Sequence, residues 1–428
     1  MAEIFEIIGP NKLKGEIEVL GCKNAATPIL AATLLTDKPC IIENLPLIED
    51  IFRMIELLKS VGAEVDWVGK RALKIQAKNI NPDGLNPDLV NKLRSSILFL
   101  GPLLSRFKKV SMPQPGGCLI GARPLDAHLE AMEEIGAEVE KENGKLTFKM
   151  NKLRAKINLV RSKEIVLSEF SVTATENVLL SSSLIEKKTI VKIAALEPHV
   201  QDLILVLRKM GAEIKYRGPH EIEIKGKKKL NGFRHHIIYD PVEAGTYLIL
   251  AGVTGSKFKI KNANPNYLDL VIKKLKNFGM TFEIKKDGII ADGRNKLKAA
   301  SKIQTMPYPG IPTDLQCAFG VLATQAEGAT LIHDPMFEGR LKYLEELNQM
   351  GAKIVICDPH RALIFGKTKL FGKAIKTYDL RGGAALILAA LAATGKSSID
   401  NVYQIDRGYE KIEKRLQELG ARIKRSVV

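Results

Sequence analysis

The apolar positions along the chain follow a repeating plan. An apolar helical stretch, a glycine and a strand-like stretch recur in that order six times, and the glycines lie 68 to 75 residues apart. They are Gly62, Gly136, Gly211, Gly279, Gly351 and Gly420. Each stands where a helix C-terminus needs a left-handed residue, so the pattern predicts six helix ends, each leading into a strand.

A second pattern alternates with the first. It consists of a helix of small residues, a short polar turn and a strand, as in 31–44 and 250–262. Each repeat therefore holds two helices and several short strands. A dinucleotide-binding fold would alternate single strands and helices without such a period. The repeats predict an α/β protein of two similar domains with three α+β units each.

Composition narrows the class of protein. The five cysteines are scattered without a CxxC pair, and the seven histidines show no metal-ligand spacing. We therefore expect no disulfide framework and no metal site. The sequence begins without a signal peptide and has no apolar run as long as a membrane span, which predicts a cytoplasmic protein without a membrane partner.

The net charge of +17 is compatible with nucleic acid, with an anionic small substrate or with a lysine-rich proteome. Aromatic residues make up only 6% of the chain, which is too few for the stacking surfaces of nucleic-acid-binding proteins. The charge therefore favours a small anionic substrate and no nucleic acid.

Cations recur at the predicted starts of helices. A helix N-terminus carries partial positive charge, so Lys and Arg are unfavourable there unless an anion is bound nearby. Such cations are Lys23, Arg123, Arg340, Arg381 and Arg407, the last two following the predicted caps Asp379 and Asp406. Any one of them could be a surface cation paired with a local carboxylate. All five together favour an anion-selective pocket on which these helix starts converge.

Arg94 adds a weaker indication. A helix over 86–104 is predicted from the cap Asn86, from Pro87 and from an apolar stripe. That stripe comprises Leu89, Leu93, Ile97, Leu100 and Leu104. Arg94 lies off the stripe, so its side chain is predicted to face a ligand or water.

Two segments carry candidate catalytic residues. Cys118 follows Gly116 and Gly117 in a loop rich in Gly and Pro and lies five residues before Arg123, a setting that favours a usable thiol acid or thiolate. Asp314 lies between Thr313 and Gln316, which have capping-box spacing. Asp314 is therefore either an ordinary first-turn acid or a general base for a hydroxyl nucleophile.

At these residues the sequence resembles the UDP-N-acetylglucosamine 1-carboxyvinyltransferases, which are enolpyruvyl transferases. The resemblance runs end to end and rests on the segments 21–30, 92–104, 115–129, 311–316, 337–340, 379–386 and 402–413. It implies a two-domain inside-out α/β barrel of six repeated units. The first lobe is expected to comprise 1–22 and 239–428, and the second 23–238 with the mobile Cys118 loop. The active site is expected between the lobes.

The resemblance implies a reaction as well. The enolpyruvyl group of phosphoenolpyruvate passes to the 3-hydroxyl of UDP-N-acetylglucosamine by addition and elimination, and phosphate is released. This is the first committed step of peptidoglycan precursor synthesis, on which cell shape and cell division depend. We expect no cofactor, a monomer, and sensitivity to fosfomycin.

Residue roles are carried over on matching positions. Cys118 is expected to protonate the methylene carbon and Asp314 to accept the proton of the sugar hydroxyl, with Lys23 and Arg407 completing the catalytic set. The phosphoenolpyruvate ligands are expected to be Lys23, Asn24, Arg123, Arg407 and Cys118. The nucleotide-sugar contacts are expected to be Arg94, Arg123, Pro124, Leu125, Asp126, Ala127, His128, Ser171, Val172, Asp314 and Met336. Arg340, Asp379 and Arg381 are expected to support them.

Four positions depart from the pattern of the resembled enzymes. Glu169 and Thr173 stand where a lysine and a glycine are usual, Gly339 where an asparagine is usual, and Pro241 where an arginine is frequent. Because Glu169 would repel a diphosphate, a modified nucleotide sugar is one alternative acceptor. Shikimate 3-phosphate is another, although the motifs of the enzymes that use it are absent here.

Overall fold

The computed structural model describes residues 3–116, 120–121, 123–142, 144–151 and 163–427. The chain divides into two compact units. Unit 1 contains Met1–Leu20 and Tyr239–Val428, with the short segment Cys118–Ala122, of which Ile120 and Gly121 are described. Unit 2 contains Gly21–Gly117 and Arg123–Ile238.

Helices and strands alternate through both units. The α-helices of the described residues are α1 (Lys23–Ala32), α2 (Glu49–Ser60), α3 (Pro87–Lys92), α4 (Leu100–Phe107), α5 (Asp126–Ile135), α6 (Val172–Ser182), α7 (Pro198–Met210), α8 (Pro241–Val253), α9 (Asp269–Asn277), α10 (Thr313–Gln325), α11 (Tyr343–Gln349), α12 (Leu380–Ala392), α13 (Tyr403–Asp406) and α14 (Ile412–Glu418). Short 3₁₀ helices lie at Thr33–Leu35, Pro82–Gly84, Arg94–Phe99 and Pro265–Tyr267.

The strands are short. In chain order they are β1 (Glu3–Gly9), β2 (Glu16–Glu18), β3 (Cys40–Glu43), β4 (Glu64–Gly69), β5 (Ala72–Gln76), β6 (Lys109–Pro113), β7 (Ala137–Glu142), β8 (Lys145–Met150), β9 (Lys163–Val166), β10 (Lys188–Lys192), β11 (Glu213–Gly218), β12 (Glu221–Lys225), β13 (Arg234–His236), β14 (Lys257–Lys261), β15 (Thr281–Lys285), β16 (Gly288–Asp292), β17 (Lys302–Gln304), β18 (Gly328–His333), β19 (Lys353–Asp358), β20 (Arg361–Gly366), β21 (Ala374–Ile375), β22 (Gly395–Ile399) and β23 (Ile423–Val427).

The sheets repeat one topology. Unit 1 contains the strand orders β21-β22-β1-β23, β15-β16-β14-β2 and β17-β18-β20-β19, and unit 2 contains β13-β3-β5-β4, β11-β12-β10-β9 and β6-β8-β7. Every four-stranded sheet combines one parallel pair at an edge with antiparallel pairs elsewhere. This recurrence is the structural counterpart of the sequence repeat.

Two kinds of helix correspond to the two sequence patterns. The small-residue helices α8, α10 and α12 pack on one another and are buried over almost their whole length, which places them at the centre of unit 1. In unit 2, α1 and α6 are buried in the same way. The helices that precede the repeat glycines, such as α2 and α9, bury only one face. Sheets and amphipathic helices thus surround a helical centre in each unit.

The predicted helix ends are confirmed. All six repeat glycines have positive φ, between 90° at Gly420 and 111° at Gly136. An L-residue with a side chain rarely adopts this left-handed conformation, whereas glycine does so readily. The glycines therefore end each amphipathic helix and direct the chain into the next strand.

The single helix predicted over 86–104 is wrong. Asn86 does cap a helix, accepting from the N–H groups of Asp88 and Leu89, but α3 ends at Lys92. Leu93 has extended backbone, and a 3₁₀ helix and then α4 follow. Ser96 Oγ accounts for the break, because it donates to the carbonyls of Val90 and Leu93, which a continuous helix would have used itself.

Two further helix starts also differ from the predictions. Helix α11 begins at Tyr343, so Arg340 lies in the preceding turn rather than in its first turn. Asp406 does not cap the last helix, because it ends the short helix α13, and Arg407 is the C-cap of that helix. Among the described residues, no helix is both long and apolar enough to cross a membrane.

Candidate active site

In unit 1, Asp314 lies between two buried arginines. Its Oδ1 accepts from Arg340 Nη2 at 2.8 Å, and its Oδ2 accepts from Arg381 Nε at 3.0 Å. The arginine side chains are 5% and 2% exposed, whereas that of Asp314 is 22% exposed. Asp314 is thus the part of this cluster that solvent or a ligand reaches.

Helix ends position these side chains. Asp314 is in the first turn of α10, and Asp379 caps α12 by accepting from the N–H groups of Arg381 and Gly382 at 2.9 and 3.1 Å. Asp379 also lies 3.5 Å from Arg340 Nη1. The predicted cap at Asp379 is confirmed. It fixes the backbone of Arg381, which is the residue that reaches across to Asp314.

Electrostatics keeps both arginines charged. Burial lowers the pKa of Arg340, but the charges of Asp314 and Asp379 outweigh burial and leave it above its usual range. Burial likewise opposes the charge of Arg381, whose pKa is nevertheless raised, chiefly by Asp314. Arg381 also lies over the ring of Tyr409, 5.3 Å from its centroid. This packing holds the guanidinium in place.

Two donors of this cluster are unpaired as far as the described residues show. Arg340 Nε and Arg381 Nη1 are buried and make no hydrogen bond there. Buried donors are normally paired, and an unpaired one is unfavourable. Their presence beside an accessible carboxylate indicates a site suited to an anionic or strongly polar ligand.

Asp334 is a component that the sequence analysis missed. Its Oδ2 accepts from the hydroxyl of Thr313, and its Oδ1 accepts from the N–H of Met336 at 3.0 Å. The predicted capping box is therefore wrong, since Pro312 is the N-cap and the buried side-chain amide of Gln316 has no partner among the described residues. Asp334 instead links the start of α10 to the segment carrying Met336. A lone aspartate after a strand gave no signal of this contact.

Arg407 is the third cation of unit 1 that was predicted at a helix start. It is buried, with 6% of the residue exposed. Its Nη1 donates to Gln404 Oε1 at 3.1 Å, and helix α13, which it ends, packs on α12. The structure therefore assigns Arg407 to the C-terminal end of a helix, where a cation is favourable without any bound anion. Arg407 therefore does not lie at a helix start, and that prediction for it is wrong.

In unit 2, Lys23 is held by an ion pair. Its Nζ lies 2.6 Å from Asp50 Oδ2, and both side chains are mostly buried. Lys23 is the first residue of α1, whose N-cap, Cys22, makes no side-chain capping bond. Asn24 follows it and is partly exposed. The predicted cation at a helix start is confirmed, and Asp50 is the carboxylate that offsets it.

Arg94 positions the backbone around Arg123. Its Nη2 donates to the carbonyls of Arg123 at 2.6 Å and Pro124 at 3.1 Å. Burial, and to a lesser extent the charge of Arg123, lowers the pKa of Arg94 to about 10, so the group remains charged at neutral pH. Arg94 thus fixes the turn that leads into α5. The residues of that turn and of the first turn of α5 are Pro124, Leu125, Asp126 and Ala127.

His128, in the first turn of α5, is buried against the start of α6. Its Nε2 lies 3.0 Å from Thr173 Oγ1, and its Nδ1 lies 3.1 Å from Asn177 Nδ2. Ser171 is the N-cap of α6, where its Oγ accepts from the N–H of Ala174, and Val172 is the first residue of that helix. The structure therefore brings His128 together with the predicted contacts at the start of α6.

Cys118 and part of its loop lie outside the described residues. The other four cysteines are described, and Cys22, Cys40 and Cys317 are buried whereas Cys357 is exposed. Burial raises the pKa of Cys40 to about 12 and that of Cys317 well above its ordinary value. These two thiols are therefore protonated and unreactive at neutral pH.

Comparison with known proteins decides the family. The family model described as EPSP synthase (3-phosphoshikimate 1-carboxyvinyltransferase) matches residues 7–416. A UDP-N-acetylglucosamine 1-carboxyvinyltransferase 1 of Carboxydothermus hydrogenoformans is 42% identical over 99% of this chain and 98% of its own length. The corresponding protein of Borreliella burgdorferi is 40% identical over 98% of each chain. The chain belongs to the enolpyruvyl transferase family.

Solved structures agree on the fold. The enolpyruvyl transferase NikO from Streptomyces tendae matches with a TM-score of 0.87 at 23% identity, covering 100% of this chain and 99% of that one. An EPSP synthase from Acinetobacter baumannii matches with a TM-score of 0.74 at 19% identity, over 100% of both chains. The predicted enolpyruvyl transferase fold of repeated α+β units is therefore confirmed.

The positions that depart from the resembled enzymes have defined surroundings in this enolpyruvyl transferase. Pro241 is the first residue of α8, capped by Asp240, where proline is favourable. Gly339 donates its N–H to the carbonyl of Ile120 at 2.9 Å, and a Cβ there would lie 2.7 Å from the Ile120 carbonyl carbon. Glu169 is exposed, just ahead of the start of α6.

Proposed function

We propose that this enzyme transfers the enolpyruvyl group of phosphoenolpyruvate to the 3-hydroxyl of UDP-N-acetylglucosamine and releases phosphate. The observation that carries the proposal is 42% identity, over 99% of the chain, to an enzyme named for that reaction. The motifs on which the resemblance rests lie within the matched region. The proposal places the enzyme at the first committed step of peptidoglycan precursor synthesis.

The proposed reaction requires an acid that protonates a carbon atom of phosphoenolpyruvate. Protonation of the methylene carbon of phosphoenolpyruvate leaves an oxocarbenium-like centre at the adjacent carbon, which the sugar oxygen then attacks. The tetrahedral ketal loses phosphate and a methyl proton, so that the enol ether of the product forms. We assign the first proton transfer to Cys118, because it is the cysteine on a Gly-rich loop beside a cation, whereas Cys40 and Cys317 are buried.

Asp314 is assigned to the sugar hydroxyl. Arg340 and Arg381 place two positive groups beside its carboxylate, and the side chain of Asp314 is 22% exposed. A hydroxyl of the sugar can reach the carboxylate from that exposed side. Asp314 can therefore orient the hydroxyl and accept its proton as the carbon–oxygen bond forms.

Cations are assigned to the anionic donor. Phosphoenolpyruvate carries a carboxylate and a phosphate, and the phosphate gains further charge as it leaves. We propose that Lys23, Asn24, Arg123 and Arg407 bind these groups, because preorganised positive groups stabilise developing charge effectively in a site that excludes water. Arg340, Asp379 and Arg381 support Asp314 through the contacts described above.

We propose that the nucleotide sugar contacts the residues expected from the resemblance. They are Arg94, Arg123, Pro124, Leu125, Asp126, Ala127, His128, Ser171, Val172, Asp314 and Met336. Arg94 acts on its neighbours by holding two backbone carbonyls. His128 Nε2 lies 3.0 Å from the hydroxyl oxygen of Thr173. We further propose a cytoplasmic monomer, for which light scattering should give the chain mass of 47.2 kDa.

A phosphate-release assay tests the function. The purified protein is incubated with phosphoenolpyruvate and one acceptor at a time: UDP-N-acetylglucosamine, an amino-modified analogue, or shikimate 3-phosphate. We expect release with UDP-N-acetylglucosamine and none with shikimate 3-phosphate. Preference for the amino-modified sugar would replace the proposed acceptor, and the exposed carboxylate of Glu169 is the observation that makes this arm necessary. No release with any acceptor would contradict the proposal.

A further inference from the structure

A chain of hydrogen bonds in unit 2 begins at Asn177 on the buried helix α6. The Asn177 Oδ1 accepts from the N–H of Gly101 at 2.9 Å, and its Nδ2 donates to the carbonyl of Ile97 at 3.0 Å. A backbone N–H can only donate and a backbone carbonyl can only accept. These two partners therefore fix which end of the side-chain amide faces His128.

The fixed amide determines the tautomer of His128. Asn177 Nδ2 also donates to His128 Nδ1, so this ring nitrogen is unprotonated. In the neutral imidazole the proton is then on Nε2, which donates to Thr173 Oγ1 at 3.0 Å. His128 is 2% exposed, and burial, with the charge of Arg94, lowers its pKa to about 3. The ring thus stays neutral throughout the physiological range.

The tautomer in turn determines what the Thr173 hydroxyl can do. Its oxygen accepts the His128 N–H, and within the described residues the hydroxyl makes no other hydrogen bond. Its own hydrogen is therefore left to donate. Thr173 is partly exposed, so a ligand can reach this hydrogen.

The location of Thr173 favours an anionic acceptor for that hydrogen. Thr173 is the second residue of α6, an eleven-residue helix whose N-cap is Ser171. The first N–H groups of a helix have no partners within it and carry partial positive charge. A hydroxyl donor beside them suits the oxygen of a phosphate group.

We propose that Thr173 is a specificity-determining residue whose hydroxyl, oriented by Asn177 through His128, donates to a diphosphate oxygen of the nucleotide sugar. The inference rests on the proposed function and adds to it a residue outside the expected contacts. A neutral donor at the helix start would contribute affinity for a diphosphate that the exposed carboxylate of Glu169 opposes.

Thr173→Val tests the hydroxyl, because valine keeps the shape and removes the donor. We expect the KM for UDP-N-acetylglucosamine to rise about tenfold, as for a lost hydrogen bond to a charged group. The KM for phosphoenolpyruvate should stay unchanged, and Thr173→Ser should retain the KM of the unsubstituted enzyme. Calorimetry with UDP and with uridine separates the parts of the ligand, because only UDP binding should weaken in Thr173→Val.

His128→Leu and the double variant test the relay. If His128 acts by orienting Thr173, His128→Leu should raise the KM for the nucleotide sugar, and adding Thr173→Val should raise it no further. A purely structural role would lower the unfolding temperature and leave that KM unchanged. His128→Gln, which can still donate to Thr173, should recover part of the affinity.

Different results would overturn the role of Thr173 and the proposed function of the enzyme. UDP binding by Thr173→Val as tight as by the unsubstituted protein would overturn the role of Thr173 while leaving turnover intact. An unsubstituted protein that binds UDP but releases no phosphate from phosphoenolpyruvate and UDP-N-acetylglucosamine would overturn the proposed function. In that case a weaker UDP affinity of Thr173→Val would still support the diphosphate contact.

Discussion

At the scale of single residues, the reactivity of a side chain here depends on what surrounds it. Asp314 and Asp334 are both carboxylates near the start of α10, yet one contacts two arginines and the other a hydroxyl and a backbone N–H. The cap at Asp379 was predictable because capping depends on local spacing. The contacts of Asp334 were not predictable from local spacing. One partner, Thr313, lies 21 residues earlier in the chain, and the other, Met336, follows Asp334 in an irregular turn.

Substituting Cys118 tests the acid. We expect Cys118→Ser to lower kcat at least about a hundredfold, because serine is a far weaker acid and general acid catalysis contributes roughly that much. Cys317→Ser is the matched control, since Cys317 is buried and its pKa is raised by burial. Steady-state phosphate release measures both. Equal activity of the two variants would remove Cys118 from the mechanism, as would full activity after long exposure to fosfomycin.

Asp314→Asn tests both the general base and its ion pairs with Arg340 and Arg381. Loss of the carboxylate should lower kcat by roughly a hundredfold or more. It should also lower stability by about 3 kcal/mol, because two buried guanidiniums lose their shared counter-charge. Phosphate release and thermal unfolding measure the two effects.

Asp334→Asn is the control for Asp314→Asn. It removes a carboxylate that is fully buried and bonded to Thr313 and Met336, but one that we assign no proton transfer. We expect a comparable loss of stability with kcat retained within about tenfold. An Asp314→Asn enzyme that turns over as fast as Asp334→Asn would show that Asp314 is structural.

At the scale of helices and strands, sequence prediction succeeded where the determinant is local. Glycine at a left-handed helix end and asparagine at an N-cap depend on a few neighbouring residues, and Gly420 and Asn86 behave as predicted. The break of the helix predicted over 86–104 lies where Ser96 donates to the carbonyls of Val90 and Leu93. An apolar stripe at helical spacing contains no information about such contacts.

Gly420→Ala measures the cost of a left-handed helix end. Gly420 has φ of 90° and no atom within 4 Å of an added Cβ, so backbone strain alone should destabilise the variant, by about 1 to 2 kcal/mol. Gly218, which also has no atom within 4 Å of an added Cβ but lacks positive φ, is the matched control. Thermal unfolding should show a decrease for Gly420→Ala only. Equal effects at both positions would contradict the conformational explanation.

Helix α6 carries a buried acid that gives stability a pH dependence. Glu176 is 1% exposed, and its Oε1 has no hydrogen-bond partner in the described part of the chain. Burial, together with the charge of Glu197, raises its pKa well above the ordinary 4.5. In the unfolded chain the Glu176 carboxyl group ionises above pH 4.5, whereas in the folded chain it stays protonated to a higher pH. The destabilisation is therefore absent below pH 4.5 and grows as the pH rises towards the folded-state pKa.

Glu176→Gln should therefore unfold at a higher temperature than the unsubstituted protein at pH 8 and at nearly the same temperature at pH 4.5. Thermal unfolding at both pH values measures the difference. Glu213→Gln, at an exposed strand position, is the control and should show no such pH-dependent gain. A gain at Glu176 that is equal at both pH values would assign it to packing rather than to charge.

At the scale of the whole molecule, the fold was predictable because it is a repeat. Six glycines at similar spacing indicate six similar units, and the recurring sheet topology matches them. The candidate site was less predictable, because charge at a helix start has more than one cause. Lys23 is offset by Asp50, and Arg407 ends a helix rather than starting one. The rule about helix starts named both residues, and it holds for Lys23 but not for Arg407.

The charge of the molecule leads to a prediction about rates. At +17, the chain should attract phosphoenolpyruvate and a nucleotide diphosphate sugar over distances comparable with the Debye length. Raising the ionic strength from about 0.02 to about 0.5 M should lower kcat/KM for both substrates several-fold, because screening acts on encounter and binding. The kcat at saturation should change little. Initial rates in sodium chloride and in potassium acetate measure this without adding the product phosphate.

A charge-reversed surface separates the long-range field from the local cations. Lys227, Lys228 and Lys229 are exposed, and each change to Glu lowers the net charge by two. If the overall field attracts the substrates, the triple variant should show a lower kcat/KM at low salt and a shallower salt dependence. An unchanged slope would assign the attraction to cations in contact with the substrates. A kcat/KM independent of salt in the unsubstituted enzyme would contradict electrostatic attraction altogether, and the excess of lysine would then have no part in catalysis.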